Sequence, residues 1–305
     1  MKQKPLNIKA FNRRFPDDDA CLDHLMRTRY GVRLMCRCNR EATYYRVNGR
    51  RCFECEHCGN QVYPTAGTPF ESTRTSLKDW FYVMFLFCAS RNGVAAKEVE
   101  RQLGVTYKTA WRMCNKIRDY MGHVDGDAML GGDSPTSGVV EIDETYIGGK
   151  DTREAGPGPR GDKSVVLGMA DRKGEVITRV VPDRSADTLV PHIVEWVKQG
   201  SRVATDEHRS YSDLKREGFW HAAVNHAAKE YVRGDVHTNT IEAFWANFKR
   251  GVKGTYVHVS KKHLQAYLRE FEYRHNLRRS PALMFEILVQ AFSRAALRAS
   301  PKGAD

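Results

Sequence analysis

From residue 138 onward, runs of β-branched residues alternate with stretches of helical spacing, a pattern that predicts an α/β domain. "VVEIDETYI" (139–147) reads as a strand. "SVVLGMAD" and "EVITRVVP" read as two more, joined as a hairpin at Arg172-Lys173-Gly174. "SADTLVPHIVEWVKQG" reads as a helix with Ser185 as its cap and Gly200 as its stop. A strand "SRVATDEH", a short helix "YSDLKREG" and a short strand "HAAVNHA" follow. Three helices close the chain: "TNTIEAFWANFKRGVKG", "SKKHLQAYLREFEYRHNLR" and "PALMFEILVQAFSRAALRA". Three strands in hairpin order, a helix, a strand and then helices is the order of an RNase H-like sheet flanked by helices.

The N-terminal half follows other patterns. Residues 1–33 read as an entry arm with a short helix after Pro16, its start favoured by Asp17, Asp18 and Asp19. Residues 34–70 alternate short β-like stretches with turns, Asn48-Gly49 serving as a hairpin turn. Residues 76–121 are helical throughout, opening at Ser76 as N-cap, with Trp80, Phe81, Phe85 and Phe87 as apolar surface. "AAKEVERQLGV", the turn Leu103-Gly104-Val105, and "TYKTAWRMCNKIRDYM" capped by Thr106 form a helix-turn-helix signature. The expected division is an arm (1–33), a zinc ribbon (34–70), a helix-turn-helix domain (71–121), a Gly/Asp/Ser/Pro-rich linker (122–137), an RNase H-like catalytic domain (138–280) and a C-terminal helix and tail (281–305).

Composition narrows the partners. The 305 residues hold 49 Lys and Arg against 37 Asp and Glu, a net charge of +12 and a pI near 9.3. This excess points to a polyanion, nucleic acid ahead of an acidic membrane, since no basic amphipathic segment stands alone at a terminus. No apolar run is long enough to span a bilayer and the start lacks the apolar core of a secretory signal, so a cytoplasmic location is expected.

Five of the eight cysteines crowd into residues 36–58, which in a cytosolic chain suggests metal rather than disulfides. Cys36 and Cys38, then Cys55 and Cys58, have the layout of two knuckles holding one structural Zn²⁺. The first pair, C-x-C, is one residue short of the usual spacing, which leaves Cys52 and His57 as substitutes. Cys88 and Cys114 read as core. In the second helix of the helix-turn-helix, Tyr107, Lys108, Thr109, Arg112, Lys116 and Arg118 are candidates to reach bases and phosphates.

A strand seldom carries a carboxylate without cause, because desolvating an unpaired charge is costly. Asp143 lies in the first strand of the α/β domain, Asp206 at the end of a later one, and Glu242 on the helix that begins near Thr240. In an RNase H-like sheet the first and fourth strands are neighbours, so the three acids would converge. Oxygen donors of this kind suit two Mg²⁺ (or Mn²⁺) ions about 3.5–4 Å apart. Asn239 shares a helical face with Glu242 and is the alternative third ligand. Lys249, two turns beyond Glu242, and Arg250 after it are candidates for phosphate contact, as is Lys150. Glu144 should point to the opposite face of the strand. His226 and His237 flank the site as secondary candidates, and Trp220 and Trp245 read as core.

The stretches "CEHCGNQVYPTAGTPFESTRTSLKDWF", "VERQLGVTYKTAWRMCNKIR", "VEIDETYIGG", "ATDEHRSY" and "HTNTIEAFWANFKRGVKGTYVHVSKKHLQAYLREFEYRHN" together resemble the IS1595 type of bacterial insertion-sequence transposases, with an ISXO2-like catalytic domain. The resemblance implies a DDE transposase: a zinc ribbon and helix-turn-helix ahead of an RNase H-like domain. Asp143 and Asp206 match the family's first two catalytic acids. Its third position varies between Glu, Asn and His, leaving Glu242, favoured, or Asn239; Lys249 matches the lysine that follows. Cys36-Arg37-Cys38 departs from the family's more usual C-x-x-C. The implied activity is binding of terminal inverted repeats in double-stranded DNA, Mg²⁺-dependent strand cleavage and transfer to target DNA, by a homo-oligomer that pairs two element ends in the bacterial nucleoid. Two other readings compete: a domesticated DNA-binding protein, and an RNase H-like nuclease without strand transfer.

Overall fold

The computed structural model describes residues 5–124, 129–132, 138–148, 163–172, 174–224 and 237–294. The chain divides into two compact units: Met1–Ser90, Ala96–Tyr120 and Ser280–Asp305 form one, and Arg91–Ala95 and Met121–Arg279 the other.

The first unit opens with α1 (Ile8–Arg14), capped by Asn7, and α2 (Asp18–Tyr30), the helix expected after Pro16. Asp17 Oδ1 accepts from Ala20 N–H at 2.8 Å, and Asp18 and Asp19 fill the positive first turn. Two small antiparallel sheets follow: β1 (Leu34–Met35) with β2 (Glu41–Ala42), and β3 (Tyr44–Arg46), β4 (Phe53–Cys55) and β5 (Gln61–Val62). Asn48-Gly49 lies in the β3–β4 connection, but the loop is wider than a two-residue turn: the last ladder pair is Arg46 with Phe53. Ser76 caps α3 (Leu77–Ala89) by accepting from Asp79 N–H. α4 (Ala96–Leu103) and α5 (Tyr107–Val124) are separated by Gly104, at φ +67°, and Thr106, whose hydroxyl accepts from Thr109 N–H.

Aromatic rings fill this unit. Phe15 meets Phe81 at 5.0 Å between centroids and Phe285 at 5.6 Å, while Phe292 meets Phe70 at 5.4 Å and Tyr120 at 4.1 Å. The C-terminal helix Pro281–Phe292 therefore belongs to this core and not to the α/β unit. Each fully buried Phe contributes about 1.5–3 kcal/mol. Arg118 was expected on a DNA-facing surface and is instead 1% exposed, its guanidinium 5.2 Å from the Phe87 ring. It fills the core of the unit as a stacked cation.

The second unit is a five-stranded sheet in the order β10-β9-β6-β7-β8. β6 (Val139–Ile147), β7 (Ser164–Asp171) and β8 (Val176–Val181) run antiparallel; β9 (Arg202–Asp206) lies parallel to β6, and β10 (Trp220–Val224) parallel to β9. One face carries Val140, Ile142, Leu167, Met169 and Val203 and is covered by α6 (Ala186–Trp196) and the 3₁₀ turn Arg209–Lys215. The other is covered by α7 (Asn239–Gly251) and α8 (Leu264–Asn276), through Ile241, Trp245, Phe248, Leu268 and Phe271. α6 ends four residues before Gly200, because Leu130 bridges Val197 and draws the chain into extended backbone. Leu130 falls in the stretch expected as linker, and residues 122–124 of that stretch are the last of α5. Trp220, expected in the core, is 63% exposed on the β10 edge. Among the described residues no helix is long and apolar enough to cross a membrane.

Side chains from α8 close the free edge of β8. Asn276 accepts from Val176 N–H (2.8 Å) and donates to Val176 C=O (3.0 Å). Gln265 does the same for Val180 N–H (2.9 Å) and Thr178 C=O (3.0 Å), and Glu272 accepts from Thr178 N–H (2.6 Å). A helix thus acts as the missing neighbour strand.

Gly168 pairs with Asp143 across β6 and β7, and its missing side chain makes room for α7. A Cβ there would sit 2.3 Å from the Trp245 ring and 2.7 Å from Ile241. Gly168→Ala should therefore push α7 off the sheet and destabilise the protein by about 1–3 kcal/mol, measured as a lower midpoint in urea. An unchanged midpoint would mean that α7 yields without cost.

Candidate active site and metal centre

β6 and β9 pair only as far as Glu141 with Ala204, then diverge. Asp143 and Asp206 each lie two residues beyond the last paired position of their strand, and Asp143 is on the face that α7 covers. Asp143 Oδ2 accepts from Trp245 Nε1–H at 3.1 Å. Burial first, and then the nearby charges of Glu144, Asp206 and Glu242, raise the Asp143 carboxyl to about 7. Asp206 and Glu242 thus both lie within electrostatic reach of Asp143. Asp206, half-buried at the end of β9, accepts from His208 N–H at 3.0 Å. Glu242, exposed in the first turn of α7, accepts from the Thr238 hydroxyl at 2.7 Å. Asn239 is the exposed first residue of the same helix, and Lys249 and Arg250 are exposed in its last turn. Glu144 lies on the opposite face, as strand alternation requires, where its carboxylate accepts from Tyr211 Oη–H at 2.5 Å and faces Arg184 at 3.5 Å. His226 and Lys150 fall outside the described residues.

A fourth acid shares the Asp143 face and is not among the candidate site residues of the sequence. Glu141 is fully buried and accepts from Thr240 N–H (2.6 Å), Thr240 Oγ1–H (2.9 Å) and Ile241 N–H (3.2 Å), so it caps α7 from the strand. Arg172 Nε lies 3.1 Å from it, and His237 Nδ1 sits at ion-pair distance, also 3.1 Å. Its even spacing from Asp143 was the available signal, because residues i and i+2 share a face. His237 thus faces a protein carboxylate.

The sulfurs of Cys36, Cys38, Cys55 and Cys58 all lie within 4.8 Å of one another, the spread a tetrahedral thiolate site allows. Cys52 and His57 stand outside this cluster; Cys52 is buried in the ribbon beside β4. The short C-x-C knuckle works because Asn39, at φ +60°, closes a tight turn in which Cys36 N–H donates to Arg40 C=O. In the second knuckle Gly59 takes the same left-handed conformation and His57 N–H donates to Cys55 Sγ at 3.4 Å. Hydrogen bonds from the Tyr44 hydroxyl and then the Cys38 backbone hold the Cys36 thiol down to about 6, so one thiolate is ready near neutral pH.

Along α5, Tyr107 is 49% exposed, Lys108 and Arg112 are exposed, and Thr109 and Lys116 are half-buried. Lys97 Nζ lies over the Tyr107 ring at 5.5 Å, and the Thr109 hydroxyl meets that of Thr106 at 3.0 Å.

Residues 135–276 match the ISXO2-like transposase domain, and residues 16–61 the transposase zinc-ribbon domain. An uncharacterized protein in transposable element ISH50 of Halobacterium salinarum is 29% identical over 254 residues, covering 78% of this chain and 82% of the relative. An uncharacterized transposase-like protein of Haemophilus influenzae is 38% identical over 104 residues, 34% of this chain and 83% of the relative. A chain in the crystal structure of a pre-cleavage Mos1 transpososome aligns over 70% of this chain and 79% of its own, at 11% identity and a TM-score of 0.30, too slight a likeness to carry an argument. The chain thus matches the IS1595 type of insertion-sequence transposases in two domains, a transposase zinc ribbon whose four cysteines converge and, after it, an ISXO2-like transposase domain.

Proposed function

We propose that the chain is a DDE-type transposase that binds the terminal inverted repeats of its element, cleaves a strand at each end and joins the 3′ ends to target DNA. The observation that carries this reading is the raised carboxyl of the buried Asp143, which feels the charges of Asp206 and Glu242, a repulsion that makes sense when divalent cations compensate it. The strand order β10-β9-β6-β7-β8 supports an RNase H-like domain, with Asp143 on its central strand.

Asp143, Asp206 and Glu242 would hold two Mg²⁺ or Mn²⁺ ions, with Asn239 as the alternative to Glu242. The hard oxygen donors fit such ions. When bound, the ions supply a Lewis acid for the attacking and leaving oxygens of phosphodiester exchange. Asp143 is held for this role by a rigid strand and by the Trp245 N–H, which orients one carboxylate oxygen. Lys249 and Arg250, two turns along α7, are placed to bind a phosphate of the DNA strand. Cys36, Cys38, Cys55 and Cys58 would hold Zn²⁺ and fix the ribbon. α4 and α5 read as a helix-turn-helix with Tyr107, Lys108, Thr109, Arg112 and Lys116 toward DNA. Work on two element ends calls for a homo-oligomer.

A strand-transfer assay tests the reading. Wild-type protein with Mg²⁺ should nick element-end DNA and join it to a target, and Asp206→Asn should do neither. Cleavage without joining would favour a nuclease, and specific binding with no cleavage in Mg²⁺ or Mn²⁺ a domesticated DNA-binding protein. For the DNA interface, Lys108→Ala and Arg112→Ala should each weaken binding at every sequence and flatten the log–log salt dependence by about 1. An unchanged slope would remove that residue from the phosphate contacts.

A further inference from the structure

We infer that Glu141 is a positioning residue that fixes Glu242 against Asp143 and thereby sets the affinity of the acidic site for the divalent cation those two carboxylates would share. The inference rests on the metal-dependent reading proposed above. A buried carboxylate is an expensive way to cap a helix, costing several kcal/mol of desolvation where a Ser or Thr hydroxyl would satisfy the same N–H groups. Thr238 already stands at the N-cap of α7, yet its hydroxyl makes no capping bond and donates to Glu242 instead. The capping is done from the sheet. Glu141 takes Thr240 N–H and Ile241 N–H on one oxygen and the Thr240 hydroxyl on the other.

The consequence is geometric. β6 carries both Asp143 and, two residues earlier on the same face, the anchor of the helix that carries Glu242. Two residues of strand span roughly 7 Å, with little freedom. The path from Asp143 to Glu242 therefore crosses about 100 residues of sequence but only one short rigid piece of structure. Arg172 Nε and His237 Nδ1 each lie 3.1 Å from the same carboxylate, approaching it from the β7–β8 turn and from just before α7. Mg²⁺ demands near-ideal octahedral geometry, so displacing one ligand by a fraction of an ångström is felt in its affinity.

The test is Mn²⁺ binding to the full-length, DNA-free protein by calorimetry, with thermal unfolding measured alongside. Glu141→Asp retracts the carboxylate by one methylene, and Thr240→Val removes a single hydroxyl donor while keeping the shape of the side chain. We expect Glu141→Asp to weaken Mn²⁺ binding by roughly 10-fold or more, the range typical of groups that orient metal ligands, and Thr240→Val to weaken it measurably less. Zinc content and affinity for duplex DNA should stay at wild-type levels in both. If either variant is folded and binds Mn²⁺ as the wild type does, with only its unfolding temperature lowered, Glu141 is a structural cap and the inference is overturned. Should Glu141→Asp fail to fold, Thr240→Val decides. A wild-type protein that binds no Mn²⁺ would sink the metal-dependent reading itself, a result distinguishable from wild-type binding that the variants leave unaltered.

Discussion

Asp143→Asn should sharply reduce strand cleavage and at the same time stabilise the metal-free protein at alkaline pH. Folding raises this carboxyl from 3.8 to about 7, chiefly by burial and then by three neighbouring acids. A raised carboxylate pKa means that the folded state holds its proton more tightly than the unfolded state. No stability is lost at low pH, where both states are protonated. As pH rises from about 4 to 7 the unfolded chain ionises first, and folding becomes progressively less favourable. Three pH units correspond to roughly 4 kcal/mol at 1.36 kcal/mol per unit, fully lost above pH 7. Asparagine cannot ionise and still accepts from Trp245, so the variant escapes the loss. The wild type should fall in melting temperature relative to Asp143→Asn between pH 5 and pH 8. Adding Mg²⁺ at pH 8 should return the difference to the wild type alone. Cleavage by the variant should fall by roughly 10³-fold, the scale of removing one major electrostatic contact from a reacting centre. A variant that cuts normally, or that melts no higher than wild type at pH 8 without metal, would refute this account.

Removal of zinc should unfold the ribbon. Its five strands are two or three residues long, and its only buried apolar side chains beside the thiols are few, so the segment has little core to survive on. In such small domains the metal contributes on the order of 10 kcal/mol, more than the domain's own folding energy. One zinc per chain is expected by elemental analysis. A chelator should erase the chemical-shift dispersion of residues 34–62 in an NMR spectrum, and Cys55→Ser should do the same without chelator. Cys52→Ala should keep the metal, since Cys52 lies outside the cluster. Metal retention should also fail in acid as protons compete for Cys36, whose thiol sits at about 6. Full dispersion after zinc is removed would show that the thiols merely pack together.

Much of this was legible in advance. The strands of the α/β unit were found because β-branched runs bounded by turns carry period-2 information locally, and Asp143 stood out as a charge within one of them. The two cysteine pairs gave the zinc site, and the alternatives Cys52 and His57 fell away only when three-dimensional distances were available. Other features were hidden by distance along the chain. Glu141 reads as one acid among several until Thr240, 99 residues later, is seen to donate to it. Arg118 is a different case, because its position was readable. It lies four residues after Cys114 and three before Met121, both buried, so helical periodicity already put it on the inner stripe of α5. At this position helical periodicity, and not charge, decides where the side chain lies. For Trp220 the reverse held: hydrophobic character suggested the core, while its place on an edge strand left it exposed.

The closure of the β8 edge by α8 has a consequence for how the chain is made. Val176 waits for Asn276, 100 residues downstream, and Val180 waits for Gln265, 85 residues downstream. A ribosome adding about 5–20 residues per second needs roughly 5–20 s to cover that interval. Throughout that time the nascent sheet presents an open row of backbone donors and acceptors next to Val176, Thr178 and Val180. Nascent chains on neighbouring ribosomes of one message present the same edge, so co-translational chaperone capture, and self-association when chaperones are scarce, should concentrate on this strand.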